Sequence, residues 1–261
     1  MGWILLTNDD GADAPGLPSL ARALEAVAPV RVVVPDRERS WVGKAISRFD
    51  PVRVQTVERD GVTVHTATGF PADCAQLGVH ALFEEPPALV VSGINIGYNH
   101  GSAYLQSSGT VGAAIEASIA GVDAVAFSTG SKRPWREWRD WVHTPDALVM
   151  WERLASLAAA LARSLWEARP SGVVLTVNLP DEADGSTERR ITSIAHVGYE
   201  RLFSQSGPGV YVHDFGGGMH HRTSLEGTDV QAAADGAVSI TPIGLIDTAP
   251  LPEHLRTALV G

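Results

Sequence analysis

Short apolar runs and longer amphipathic stretches alternate along the first 180 residues. Residues 3–6, Trp-Ile-Leu-Leu, form an unbroken apolar run with the look of a strand buried on both faces. Residues 17–27 carry apolar side chains at helical spacing, and Val32-Val33-Val34 gives a second buried strand closed by Pro35. Strand, helix and strand in so short a span predict a βα unit feeding a parallel neighbour. Residues 52–57 and 62–66 alternate around Asp60-Gly61, which predicts a hairpin. A helix is expected from about 70 to 82, with Pro71 in its first turn and Asp73 at the positive end of its dipole. Further strands are expected at 88–92, 123–128 and 173–178, the last of these closing the core. Further helices are expected at 113–120, 135–141 and 146–167, where Trp135, Trp138 and Trp141 would make one aromatic stripe suited to packing or a subunit surface. The pattern is that of an α/β fold. Composition shifts after Pro180: residues 181–188 are polar, 190–197 and 238–243 read as strands, and 212–227 are rich in Gly and His.

Candidate chemistry gathers at the ends of the predicted strands. Thr7-Asn8-Asp9-Asp10-Gly11 directly follows the first strand, and the carboxyl edge of an open α/β sheet is where ligands bind. Adjacent carboxylates repel unless a positive charge sits between them, and hard divalent cations prefer oxygen ligands. The alternative is a local turn in which Asn8 and Asp9 bond nearby amides. Ser40, in the loop leaving the second strand, can lie on the same edge. After residues 88–92 glycines recur at 93, 97 and 101 with Asn95 and Asn99 between them. This is neither a dinucleotide fingerprint nor a P-loop, but each amide can offer an oxygen to a cation or a donor to an anion. Ser108, Gly109 and Thr110 open the 113–120 helix with hydroxyls and free amides, as an anion site, an ordinary cap, or both. His65 and Cys74 read as structural residues. His213, Asp214, His220 and His221 match no standard zinc spacing.

The chain has 261 residues and 44% apolar content, enough for one large domain or a domain with an appendage. Its formal charge of -10 argues against a duplex DNA partner. That charge still permits a phosphorylated ligand, because one metal ion reverses the local field. A single cysteine allows no intrachain disulfide, no apolar run is long enough to span a bilayer, and no signal-peptide pattern is visible. A cytoplasmic protein without membrane contact is expected.

Taken in order, Asp9-Asp10-Gly11, Ser40, Ser92-Gly93-Ile94-Asn95-x-Gly97-x-Asn99 and Ser108-Gly109-Thr110-Val111-Gly112-Ala113-Ala114 resemble the SurE family of survival-protein nucleotidases. Gly69-x-Pro71-Ala72-Asp73-Cys74, Val177-Asn178-Leu179-Pro180, Gly227-Thr228-Asp229 and Ser239-Ile240-Thr241-Pro242 extend the resemblance over almost the whole chain. It implies a Rossmann-like three-layer core with a mostly parallel sheet over residues 1–180. It also implies a carboxyl-terminal β-hairpin arm and tail, 181–261, exchanged between subunits of a homodimer or homotetramer. The implied activity is metal-dependent hydrolysis of nucleoside monophosphates, with one Mg²⁺ or Mn²⁺ on Asp9, Asp10, Ser40 and Asn95. Asp9, Asp10 and Asn95 would be the catalytic residues, and Asn99, Ser108, Gly109 and Thr110 would hold the phosphate. Hydrolysis of short polyphosphate, or nucleotide sensing without turnover, are the alternatives. Trp41, Ser107 and Ala117 depart from the family pattern, which commonly has Gly, an aromatic residue and Gly there. Trp41 and Ser107 are therefore expected to bear on substrate preference.

Overall fold

The computed structural model describes residues 2–169, 173–214 and 219–246. Part of the Gly- and His-rich stretch (215–218) and the predicted tail from 247 lie outside the described residues. The elements run β1 (Ile4–Thr7), α1 (Leu17–Glu25), β2 (Val30–Pro35), β3 (Val54–Arg59), β4 (Val62–Ala67), α2 (Pro71–His80), β5 (Leu89–Ile96), α3 (Gly101–Ser107), α4 (Gly109–Ile119), β6 (Ala124–Gly130) and α5 (Trp135–Trp141). They continue with α6 (Leu148–Ala168), β7 (Val174–Pro180), β8 (Arg189–Ile191), β9 (Val197–Tyr199), β10 (Phe203–Gly207), β11 (Val210–His213), β12 (Met219–His221), α7 (Asp229–Asp235) and β13 (Val238–Ile243).

Nine strands form one sheet in the order β3-β4-β2-β1-β5-β6-β7-β13-β8. From β4 through β7 every pair is parallel. Strand β3 folds back antiparallel on β4 through Asp60 and Gly61, whose φ values of 48° and 78° both lie in the left-handed region that an Asp-Gly hairpin turn uses. From β1 the chain moves outward to β2 on one side and later to β5 on the other. The β1/β5 crevice is therefore the sheet's topological switch point.

Side chains alternate across β1, so its unbroken apolar run serves two cores. Ile4 and Leu6 face α1 and α6 with Leu20, Leu24, Leu154 and Phe127. Leu5 faces the opposite cluster with Val33, Val90, Cys74, Ala114 and Ala117, from β2, β5, α2 and α4. The sheet is thus sandwiched between helical layers, as expected. Burial pushes the Cys74 thiol well above its usual range, consistent with an inert core residue. Asp73 is structural too: it accepts from Phe70 N–H at 2.8 Å and from the Ser47 hydroxyl at 2.7 Å. His65 Nδ1 meets the Thr56 hydroxyl at 3.0 Å on the neighbouring strand. The tryptophan stripe is not uniform, because three-residue spacing drifts around a 3.6-residue helix. Trp138 is buried, Trp141 partly buried and Trp135 half exposed.

One expectation is corrected. Strand β7 does not close the core, because β13 pairs antiparallel along it from Ser239↔Asn178 to Ile243↔Val174, and β8 adds parallel to β13. Within the single chain the strands around Ile191 and Ile240 complete the sheet. The physical reason is the free edge of β7, whose backbone groups need partners and whose neighbouring core takes Val238 and Ile243. Among the described strands, only the ribbons β10-β11 and β12-β9 stand outside the main sheet. Their base is pinched where Ser193 N–H donates to Gly227 O (3.1 Å) and Asp229 N–H donates to Ser193 O (3.0 Å). No helix among the described residues is long and apolar enough to cross a membrane.

Candidate active site

The local turn expected of the pentad after β1 is present, and one residue makes it. Asn8 makes the turn: its Oδ1 accepts from Gly11 N–H at 3.0 Å and its Nδ2 donates to Gly11 O at 2.9 Å. The two aspartates are left to face the crevice. Asp9 is buried and its Oδ1 accepts from the Thr110 hydroxyl at 2.5 Å. Gly109, at the start of α4, lies so close that a Cβ there would sit 2.9 Å from Asp9 Cβ. Asp10 Oδ2 is buried and finds no hydrogen-bond partner among the described residues.

The electrostatics follow from that burial. Loss of solvent raises Asp9 to about 6, against the Thr110 hydrogen bond, which pulls it down. Asp10 is pushed well above its ordinary value by burial first, then by the charges of Asp9 and Glu38. The Ile96 amide at the end of β5 opposes the rise. Glu38 is an acid that sequence reasoning did not single out.

Ser40 is exposed and its hydroxyl donates to Glu38 at 2.6 Å. Its loop is fixed along its length. Arg39 N–H donates to Asp9 O at 2.7 Å and Gly43 N–H to Ser107 O at 2.9 Å, and Lys44 pairs with buried Glu116, which also accepts from Gln76. Ser107 itself turns its hydroxyl onto the carbonyls of Ala103 and Tyr104, within α3.

Asn95 lies within β5, which runs past the expected end at Ser92 after a register break. Gly93, at φ 121°, permits the break, since a Cβ there would collide with the Phe127 carbonyl of β6. The Asn95 amide nitrogen donates to Gly97 O at 2.7 Å, so its carbonyl oxygen is the end left for a cation. Asn99 is buried and more constrained. Its N–H donates to Asn178 Oδ1 (2.9 Å) and its Nδ2 to Ser128 Oγ (2.8 Å), while Asn178 Nδ2 reaches Ser239 Oγ (3.3 Å). Ser128 and Asn178 were missed as site residues. The available signal was a polar residue near the carboxyl end of an otherwise apolar strand. Ser108 caps α4, accepting from Val111 N–H at 3.1 Å, so the cap reading holds while its own proton stays available.

Two histidines fall elsewhere than in a metal cluster. His213 packs on Trp41 with ring centroids 4.9 Å apart, and His100 stacks on Tyr98 at 5.0 Å with its Nδ1 unpartnered among the described residues. No three His, Cys, Asp or Glu side chains gather as a metal group among the described residues. Two carboxylates, a hydroxyl and an amide are a different, oxygen-only donor set.

The sequence signature described as Survival protein SurE matches residues 4–201. The chain belongs to the SurE family. Relatives run the full length. A protein named 5'-nucleotidase SurE from Methanopyrus kandleri is 36% identical over 268 residues, covering 99% of each chain. One of the same name from Methanoculleus marisnigri is 38% identical over 253 residues, covering 94% of this chain and 92% of that one. The crystal structure of the SurE protein from Aquifex aeolicus superposes with a TM-score of 0.74 at 30% identity, covering 98% of both chains. Against the SurE pattern, Trp41 now has a physical reading. Its φ of 62° is left-handed, where glycine rests freely and an indole-bearing residue carries about 1–3 kcal/mol of strain.

Proposed function

We propose that this chain is a 5'-nucleotidase that hydrolyses nucleoside monophosphates to nucleoside and phosphate with one divalent cation, Mg²⁺ or Mn²⁺. The observation that carries the reading is the buried, unpartnered Asp10 oxygen beside Asp9 at the switch point of the sheet. A pair of desolvated carboxylates with raised proton affinity is a poor structural device and a good cation cradle. Asp9, Asp10, Ser40 and Asn95 would hold the ion, which when bound supplies positive charge against the phosphoryl oxygens.

The rest of the work falls to this chain's own groups. Thr110 spends its hydroxyl proton on Asp9 and so orients that carboxylate. Its backbone N–H bonds Asp9 as well, which leaves the N–H of Gly109, at the positive end of α4, for phosphate beside the Thr110 side chain. Ser108 keeps its proton for a phosphoryl oxygen, and Asn99, locked by Ser128 and Asn178, keeps one amide hydrogen for the same purpose. Water then attacks phosphorus, the phosphate ester bond breaks, and the nucleoside oxygen leaves with one of the water's two protons while the other stays on the phosphate.

The β10-β11 ribbon exposes apolar side chains on both faces, Phe203 and Tyr211 on one and Val210 and Val212 on the other. Exposed apolar side chains of this kind suit a subunit contact in a homodimer or homotetramer. A cytoplasmic setting fits the lone, buried thiol. The deciding experiment is phosphate release from AMP with Mg²⁺ or Mn²⁺, then with chelator. Turnover should vanish with chelator and return with the ion, and nucleotide binding without turnover would replace the enzyme by a sensor.

A further inference from the structure

Trp41 is a large indole, 40% exposed, held in a backbone conformation that disfavours it, one residue from Ser40. Its ring does not stand alone. It meets Tyr104 of α3 at 6.0 Å, Tyr199 of β9 at 5.6 Å and His213 of β11 at 4.9 Å, all edge-on or tilted, and Tyr104 meets Tyr199 at 5.8 Å. Tyr104 lies on α3, the helix that joins Asn99 to Ser108 along the chain, so the cluster borders the candidate phosphate site in sequence. Exposed strained residues concentrate at functional sites, and aromatic faces bind bases of any sequence by stacking.

We infer that Trp41, steadied by Tyr104, Tyr199 and His213, forms a stacking platform for the nucleobase and sets this chain's preference for nucleotides over phosphate esters that lack a base. The inference rests on reading the Asp9–Asp10 crevice as a nucleoside-monophosphate site. Tyr199 and His213 come from the ribbons, so the platform joins the core loops to the arm.

The test compares AMP with ribose 5-phosphate, which carries the same sugar and phosphate without the base. Trp41→Asn is the main variant, because asparagine tolerates the left-handed conformation and brings no large ring. Trp41→Phe keeps an aromatic face. KM and kcat are measured for each, and binding of AMP's non-hydrolysable phosphonate analogue is followed by calorimetry in the presence of Mg²⁺. Trp41→Asn should weaken analogue binding and raise the KM for AMP by about 5- to 150-fold, the range that stacking one base supplies. It should leave ribose 5-phosphate within about twofold, and Trp41→Phe should restore most of the loss. Equal losses on both substrates, or unchanged analogue affinity, would overturn the platform. Because calorimetry reads affinity without turnover, a wild-type chain that binds the analogue but releases no phosphate from AMP refutes the activity and leaves the platform to be decided by the same variants.

Discussion

Asp10→Asn in the cation-free protein separates a metal cradle from a structural turn. Asp9 is buried, and Asp10, half-buried overall, has its Oδ2 withdrawn from water with no partner among the described residues. Raising Asp9 from 3.8 to about 6 sets about 3 kcal/mol against its charged form. The sign follows from proton counts. Folded protein holds protons that unfolded protein has already released, so without cation, stability present at low pH is lost as pH climbs from about 3.8 through about 6. Replacing Asp10 by its near-isostere removes one of the two opposed charges and substitutes a neutral group that must find partners of its own. In chelator at pH 8 the variant should be the more stable by about 1–3 kcal/mol. That is a melting midpoint higher by about 2–10 °C for a chain of this size. At pH 4 the gain should shrink, because the wild-type pair is then protonated. Adding Mg²⁺ or Mn²⁺ at pH 8 should raise the wild-type midpoint and leave the variant's unmoved. Nucleotidase turnover by the variant should fall at least about a hundredfold. Calorimetric melting at the two pH values, with and without ion, reads all of this. A variant less stable than wild type in chelator at pH 8, or one that responds to the ion as wild type does, would refute the cradle.

Three further outcomes are expected. Gly109→Ala puts a methyl 2.9 Å from Asp9 Cβ and 3.0 Å from Asp9 Oδ2. It should cut kcat by about a hundredfold through displacement of that carboxylate, with circular dichroism unchanged. Lys44→Met strips buried Glu116 of its cation partner and frees the Ser40 loop. Since Lys44 is itself partly exposed, the cost should be about 1–2 kcal/mol in a denaturant melt, with weaker Mn²⁺ binding by titration calorimetry. Phe203→Ser combined with Tyr211→Ser, on the exposed ribbon, should shift sedimentation toward the monomer while the core's melting midpoint changes by no more than a few degrees.

How much was legible varies with how local the cause is. Residues 3–10 told their story because one short apolar run fixes a buried parallel strand, and whatever follows it must stand at the ligand edge. Asp60-Gly61 was equally plain, since few dipeptides accept two left-handed residues in succession. Strand β13 was not. Its Val-Ser-Ile-Thr-Pro-Ile alternation fits an arm as well as a sheet, and only its long-range pairing with β7 distinguishes the two. The same distance hid Asn178, which holds Asn99, and Ser239, which accepts from Asn178 on the neighbouring strand. Helix α3 escaped because Gly101-Ser102 lacks strong helix formers; it is held by Ser102 N–H donating to Ala195 O and by Gly101 N–H donating to Asp229 Oδ2. In the candidate site, Ser40, Asn95 and the aspartates could be named from sequence. Thr110's service to Asp9, and the charge of Glu38, needed the fold.

The pinched base of the ribbons bears on how subunits would come together. Ser193 is bonded to Gly227 and Asp229, and bridges to Thr228, so residues 194–227 leave and re-enter the sheet at nearly one point. Such a segment is a closed loop, not a free end. A partner can be embraced by it without any strand of the nine-stranded sheet unpairing first. Assembly and dissociation would then proceed by docking, at rates set by protein concentration and collision geometry. The slow unfolding barrier that governs exchange of a terminal core strand would play no part.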